Sequence, residues 1–211
     1  MSPSNITMSK PQELSDAAAW SAYRRARVAD LSHTITLRDG SSVHMRAIQP
    51  DDVERLQAFH TRLSLDTIVM RYFRVAPTLH SQEAWRLTHL DYDNRMALVA
   101  TTSVGDEERI IGVVRYERVA ATSGELAFVI ADEWQGRGIG ARLLAHLLTY
   151  ARERGFERMM AVTMSTNMRM RAVLAHAGFP VTSSYADGCL TFTLDISASP
   201  ARSDFPAVSQ N

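Results

Sequence analysis

The 211-residue chain has a single cysteine, Cys189. That excludes an intrachain disulfide and a cysteine-built zinc site, and it fits a reducing compartment. Lysine is as scarce: Lys10 is alone among 23 lysine and arginine residues. Codon bias in a GC-rich genome accounts for this most simply. No apolar run approaches the about 20 residues that a bilayer crossing needs. The first 30 residues carry Glu13, Asp16 and Asp30 without a continuous apolar stretch, so no signal peptide is expected. Neither sign of charge is in surplus, 23 basic residues against 23 acidic ones, which argues against a nucleic-acid partner. The seven histidines share no ligand spacing, and no metal is expected. A cytoplasmic protein that binds no membrane is the expectation.

What is present suits one globular domain with some extra chain. Apolar residues are 45% of the total, enough for a core. Residues 1–10 read as a loose end and 11–31 as a helix with Trp20 and Tyr23 on its apolar side. A hairpin follows, His33–Leu37 and Val43–Ile48 around Asp39-Gly40. Pro50-Asp51-Asp52 opens a helix over 51–62. Ser64 caps a second, with Leu65, Ile68, Val69, Tyr72 and Phe73 at core spacing. Ser81 begins a third, close to a capping box. The period then changes to that of strands at 95–103, 109–119 and 125–131. A helix over 138–154, a strand over 158–164, a helix over 168–177 and a hairpin around Asp187-Gly188 complete the pattern. The order predicts an α/β (α+β) fold with a mixed sheet. Residues 1–42 are taken as an N-terminal extension, 43–196 as the domain and 197–211 as a disordered tail.

The stretch with the most chemical content lies between the strand of 125–131 and the helix of 138–154. It reads Gln135-Gly136-Arg137-Gly138-Ile139-Gly140. Three glycines within five residues expose successive N–H groups at a helix N-terminus, where the dipole favours anions. A Cβ at these positions would keep a phosphate off the backbone. A nucleotide P-loop would continue with Gly-Lys-Ser/Thr, whereas Gly140-Ala141-Arg142 stands here. A dinucleotide fold places its glycines after the first strand. A ligand-free turn is the plain alternative.

Gln135 to Gly140 match the Gln/Arg-x-x-Gly-x-Gly/Ala signature of the GNAT superfamily of acetyl-CoA-dependent N-acetyltransferases, which the chain resembles over roughly 43–195. The resemblance includes the later spacing from Asn167 to Gly178-Phe179. It implies the GNAT fold, a mostly antiparallel twisted sheet with a splay between central strands. It implies that Gln135, Gly136, Arg137, Gly138, Ile139, Gly140 and Ala141 bind the CoA pyrophosphate. Phe128, Val129 and Ile130 would flank the pantetheine arm, and Asn167 would hydrogen-bond it, although Asn167 also suits a helix cap. The runs 63–73 and 90–100 further resemble the catalytic domain of bacterial protein lysine acetyltransferases that modify acyl-CoA synthetases. Residues 1–42 are too short for the regulatory domains often fused to that group.

From this resemblance Glu125 is the expected general base. An amine with a pKa of about 10.4 must lose a proton before it attacks a thioester. Glu117 on the preceding strand is the second choice. Backbone N–H groups near Val129 would polarise the thioester carbonyl. The family's tyrosine acid falls on Leu174, so it is absent, and Tyr185 is a possible substitute. The expected partners are acetyl-CoA and a protein bearing a target lysine. Acetylation of a small amine, and a non-catalytic CoA-binding sensor, are the alternatives. A lysine-modifying enzyme also gains from offering little lysine of its own.

Overall fold

A computed structural model of the chain describes Ala22, Tyr23, Ala26, 28–75 and 78–198. Most of the helix expected over 11–31, Lys10 and most of the tail from 197 lie outside the described residues. One eight-stranded sheet organises the rest, in the order β1-β2-β3-β4-β5-β6-β8-β7. The strands are β1 (His33–Thr36), β2 (Ser42–Ala47), β3 (Arg95–Val104), β4 (Glu107–Ala120), β5 (Ser123–Ile130), β6 (Arg158–Met164), β7 (Val181–Ala186) and β8 (Cys189–Asp195). β1 pairs with β2 from His33↔Met45 to Thr36↔Ser42. The sheet therefore starts inside the segment taken as an extension.

Every neighbouring pair is antiparallel except β5 and β6. The exception follows from connection length. β5 reaches β6 through a whole helix, whereas tight turns join β3 to β4 and β4 to β5. Met96 through Thr101 of β3 are buried without a break, because both faces are covered.

On one face lie α1 (Val53–Thr61), α2 (Leu65–Tyr72) and α3 (Ser81–Thr88). On the other lies α4 (Ile139–Arg152), with α5 (Met168–Ala175) beside it. The apolar period of α4 is fully used: Ile139, Leu143, Leu144, Leu147, Leu148 and Ala151 are all buried. Gly112 of β4 allows this contact, since a Cβ there would fall 2.6 Å from Ile130 and 3.5 Å from Leu143.

A charged knot fixes α1 to the sheet. Arg46 on β2 donates to Asp52 at 2.7 Å and to Glu108 on β4 at 2.7 Å. Thr101 donates to the other Glu108 oxygen at 2.8 Å. Asp52 is fully buried, so removing Arg46 would strand its charge. The acid at the start of α1 thus anchors the layer.

Three local expectations are corrected. Leu65 and Phe73 are 56% and 47% exposed, not core. Phe73 takes φ 57° and ends α2 as a left-handed cap. Ser81 does begin α3, but the expected capping box is absent: His80 is the cap residue, and no side chain bonds there.

Candidate active site

β5 and β6 pair over three rungs, Ser123↔Arg158, Gly124↔Met159 and Glu125↔Met160, and then part. A cavity of about 760 Å³ opens in that gap. Glu125 lies at its closed end, Phe128, Val129 and Ile130 along its side, and Gly136, Gly138, Gly140 and Ala141 at the far end. Gln135, Ile139 and Asn167 also line it. Residues 10 or more positions apart in the sequence are thereby brought to one opening.

Strand alternation decides which amides face the gap. The Ala131 amide donates to the Ile111 carbonyl of the preceding strand at 2.8 Å. In an antiparallel pair every second residue bonds the same neighbour. Val129, opposite Val113, therefore spends its amide on β4; Leu126 still serves the last rung to β6, and Phe128 and Ile130, beyond it, direct theirs to the gap. Of the amides near Val129, those of Phe128 and Ile130 are therefore the ones that face the gap. Consistent with this, the Ile130 carbonyl is reached from the gap side by Gln135 Nε2 at 3.0 Å.

The glycine turn has the expected geometry. Gly136 and Gly138 adopt φ 76° and 82°, a region that costs other residues strain. Gly138 is the N-cap of α4 and no side chain caps that end. Among the described residues the amides of 136–141 have no acceptor; the first helical bond is Arg142 to the Gly138 carbonyl. Six donors thus point from a 14-residue helix and its turn with nothing to bind.

The side chains of several expected binders are engaged within the chain. Gln135 is committed to holding walls together. Its Nε2 donates to Ile130 and to Thr67 at 3.2 Å, and its Oε1 accepts from Arg169. Arg137 turns out of the cavity to Asp39 at 2.9 Å and lies over Trp134. Asn167 caps α5, accepting from the Met170 amide at 3.1 Å. Its Nδ2 has no partner among the described residues, and the residue lines the same cavity. Tyr185 is 67% exposed and outside the cavity lining, and Leu174 is buried core. No tyrosine lines the cavity among the described residues.

The sequence reading missed Asp132. Its carboxylate accepts from the Ser64 amide at 2.9 Å, the Ser64 hydroxyl at 2.7 Å and the Thr67 hydroxyl at 2.7 Å. Partial burial pushes its pKa up, but these bonds outweigh that and hold it below the usual range. The N-terminus of α2 is thus tied to the turn after β5. The acidic pair Asp132-Glu133 before the glycines was the available signal. Thr163 on β6 was missed too: the residue borders the cavity, and its buried hydroxyl has no partner.

Comparison with known proteins agrees with this geometry. Residues 42–180 match the family described as the acetyltransferase (GNAT) domain. The chain belongs to the GNAT acetyltransferase family. An acetyltransferase of Pseudomonas aeruginosa is 33% identical over 82% of the chain and 90% of its own length. Acetyltransferase Pat of Mycolicibacterium smegmatis is 30% identical over 68% of the chain, which spans 43% of that relative. The crystal structure of the GNAT domain of S. lividans PAT superposes with a TM-score of 0.72 at 34% identity, over 79% of the chain and 98% of that domain.

The GNAT chain is an N-acetyltransferase, and the family's acyl donor is acetyl-CoA. The cavity fits that donor. Six unspent amides suit a diphosphate, and the unpartnered Asn167 Nδ2 suits an amide-bearing arm. Among the described residues no group of three or more histidine, cysteine or acidic side chains is placed to hold a metal ion. No described helix is long and apolar enough to cross a membrane.

Proposed function

We propose that the chain acetylates the ε-amino group of lysines on protein substrates by direct attack, with Glu125 as general base. Bound with its diphosphate on the turn, acetyl-CoA supplies an activated acetyl thioester in the gap. The amides of Gly136 to Ala141 grip the diphosphate; Asn167 Nδ2 holds the arm. The Phe128 amide lies where the thioester oxygen gathers charge. Glu125 accepts the amine proton, directly or through water. Glu117, opposite Glu125 on β4, is exposed and 4.0 Å from Arg95, outside the cavity lining, which supports Glu125 over it. With no tyrosine at the cavity, the departing thiolate takes its proton from solvent.

The observation that carries this reading is the joining of Glu125 and the glycine turn by one cavity. Its mouth supports a protein acceptor. Phe73 and Met168 line it and are 47% and 64% exposed, which offers a broad apolar rim. A small polyamine calls for a narrow acidic pocket, whereas here Arg71 and Arg169 share the lining with Asp66, Glu125 and Asp132.

The test is release of free thiol from acetyl-CoA against a panel of acyl-CoA synthetases and a panel of polyamines. Turnover on a synthetase, abolished by replacing one lysine of that substrate, is expected. Turnover confined to polyamines would favour the small-amine reading, and tight CoA binding without turnover on any acceptor would favour a sensor.

A further inference from the structure

Beside the main cavity lies a second, much smaller recess of about 20 Å³. The two share Arg71, Ala127, Phe128 and Val129. That stretch of β5 is where the gap opens and where the transferred acyl group comes to rest in the reading above. The remaining wall comes from α1, α3 and β4, including Leu56, Phe59, Leu87 and Val113. Leu56, Phe59 and Val113 are buried, and the four shared residues set the recess against the acyl end of the gap.

Acetyl transfer as described above calls on neither of its charges directly. Arg71 on α2 and Arg115 on β4 both line it. Arg115 stands opposite Ala127 in the β4/β5 register, so its side chain shares the face of Ala127. Among the described residues neither guanidinium makes a hydrogen bond or an ion pair. Arg71 lies 4.9 Å from the Tyr72 ring. Glu125 and Glu83 reach Arg71 through space without contact. Arg95 and Arg86 add to the positive field at Arg115. Burial, then repulsion from Arg71, pushes the Arg115 guanidinium down to about 9, and burial lowers Arg71 as well. Two desolvated cations with no anion in contact are costly to hold.

A fold that keeps such a pair has a use for a carboxylate there. The space admits about one small group, since a single water already needs roughly 10–15 Å³. A space this small, set against the acyl end of the gap, suits a group carried on the acyl chain better than a whole side chain of a protein acceptor. An anion can arrive attached to the acyl group.

We propose that the Arg71–Arg115 recess is a carboxylate subsite for the acyl donor, so that the enzyme binds and transfers short dicarboxylic acyl groups, such as succinyl, from their CoA thioesters. This rests on the donor-site assignment above and not on the identity of the acceptor. In the transfer, the amine nitrogen bonds to the thioester carbon and the carbon–sulfur bond breaks. CoA leaves as a thiolate and is protonated, and the amine proton passes to Glu125. The distal carboxylate is unchanged.

Titration calorimetry on the intact protein tests this without an acceptor. Succinyl-CoA is compared with butyryl-CoA, which has the same number of acyl carbons and no distal charge, and with acetyl-CoA. Succinyl-CoA is expected to bind at least about tenfold more tightly than butyryl-CoA, the factor that one charge-assisted bond supplies. Arg115→Met is expected to erase that preference and leave acetyl-CoA binding within about twofold; Arg115→Lys should restore part of it. Equal affinities for succinyl-CoA and butyryl-CoA in the wild type would overturn the proposal. So would a preference that survives Arg115→Met. A transfer assay adds the other source: if Arg115→Met raises the acceptor KM equally with every donor, the carboxylate belongs to the acceptor and the donor assignment is wrong. Failure to bind CoA itself would instead remove the donor site.

Discussion

Glu125 stands opposite Met160 in the last rung that joins β5 to β6. Beyond it the strands part, so the carboxylate is held by pairing on one side and faces open space on the other. A base needs both: a fixed backbone and room for an incoming amine. Glu125→Gln keeps shape and removes proton affinity. A fall in kcat of about 100-fold is expected with CoA affinity unchanged, in the range general-base loss produces. The acidic limb of the pH–rate profile should disappear. An unaltered profile would take Glu125 out of that role.

Gly138 carries the strictest backbone demand in the turn. It holds φ 82°, and a Cβ there would lie 3.3 Å from Arg142 Nη1. Gly138→Asp adds strain of about 1–2 kcal/mol and a negative charge among the free amides. CoA affinity is expected to drop by at least about 100-fold while the melting temperature moves by only a few degrees. Retained affinity would refute the anion-binding assignment.

Asp132 joins two elements that are 65 or more residues apart, through Ser64 and Thr67. Asp132→Ala leaves three donors without their acceptor. A stability loss of about 1 kcal/mol is expected from exposed charge-assisted bonds. The acceptor KM should rise more than kcat falls, because α2 forms one wall of the cavity. Asp132→Asn, which can still accept, should retain most of the function. Equal loss in both variants would mean that charge, not the tie, is what matters.

Stability should fall with acid in two stages. His146 is held near pKa 4 by burial and then by the neighbouring His33, 4.4 Å away between ring centroids. Between about pH 6.5 and 4 the unfolded chain therefore binds the extra proton, and stability drops as pH falls. Glu108 is held near 2 by Arg46 and Thr101. Its contribution, full above about pH 4.5, is lost as pH falls toward 2. Melting temperatures across pH 7 to 3 check this. His146→Gln should flatten the upper stage and Glu108→Gln the lower.

What could be read without the structure was local. The glycine turn, the cap at Ser64, the ends of α4 and the hairpin at Asp187-Gly188 each depend on neighbours within a few residues. The placement of Glu125 was legible because strand and turn are adjacent in the chain. Pairwise matters were not. Whether Val129 or Phe128 offers its amide depends on register with β4. Arg71 and Arg115, 44 positions apart, look like two ordinary surface arginines until α2 folds over the sheet. Gln135 and Arg137 sit in the signature, yet distant partners, Thr67 and Asp39, decide where their side chains go. Phe73 has core spacing, but the left-handed turn it makes carries it into solvent.

The central claim is that the unpaired amides of the glycine turn bind the donor's diphosphate, and a crystal structure with CoA tests it most directly. The account predicts diphosphate oxygens within about 3.2 Å of several amide nitrogens between Gly136 and Ala141, with the thiol end in the gap near Phe128. A diphosphate bound elsewhere, with those amides facing solvent or closed by side chains, would contradict it.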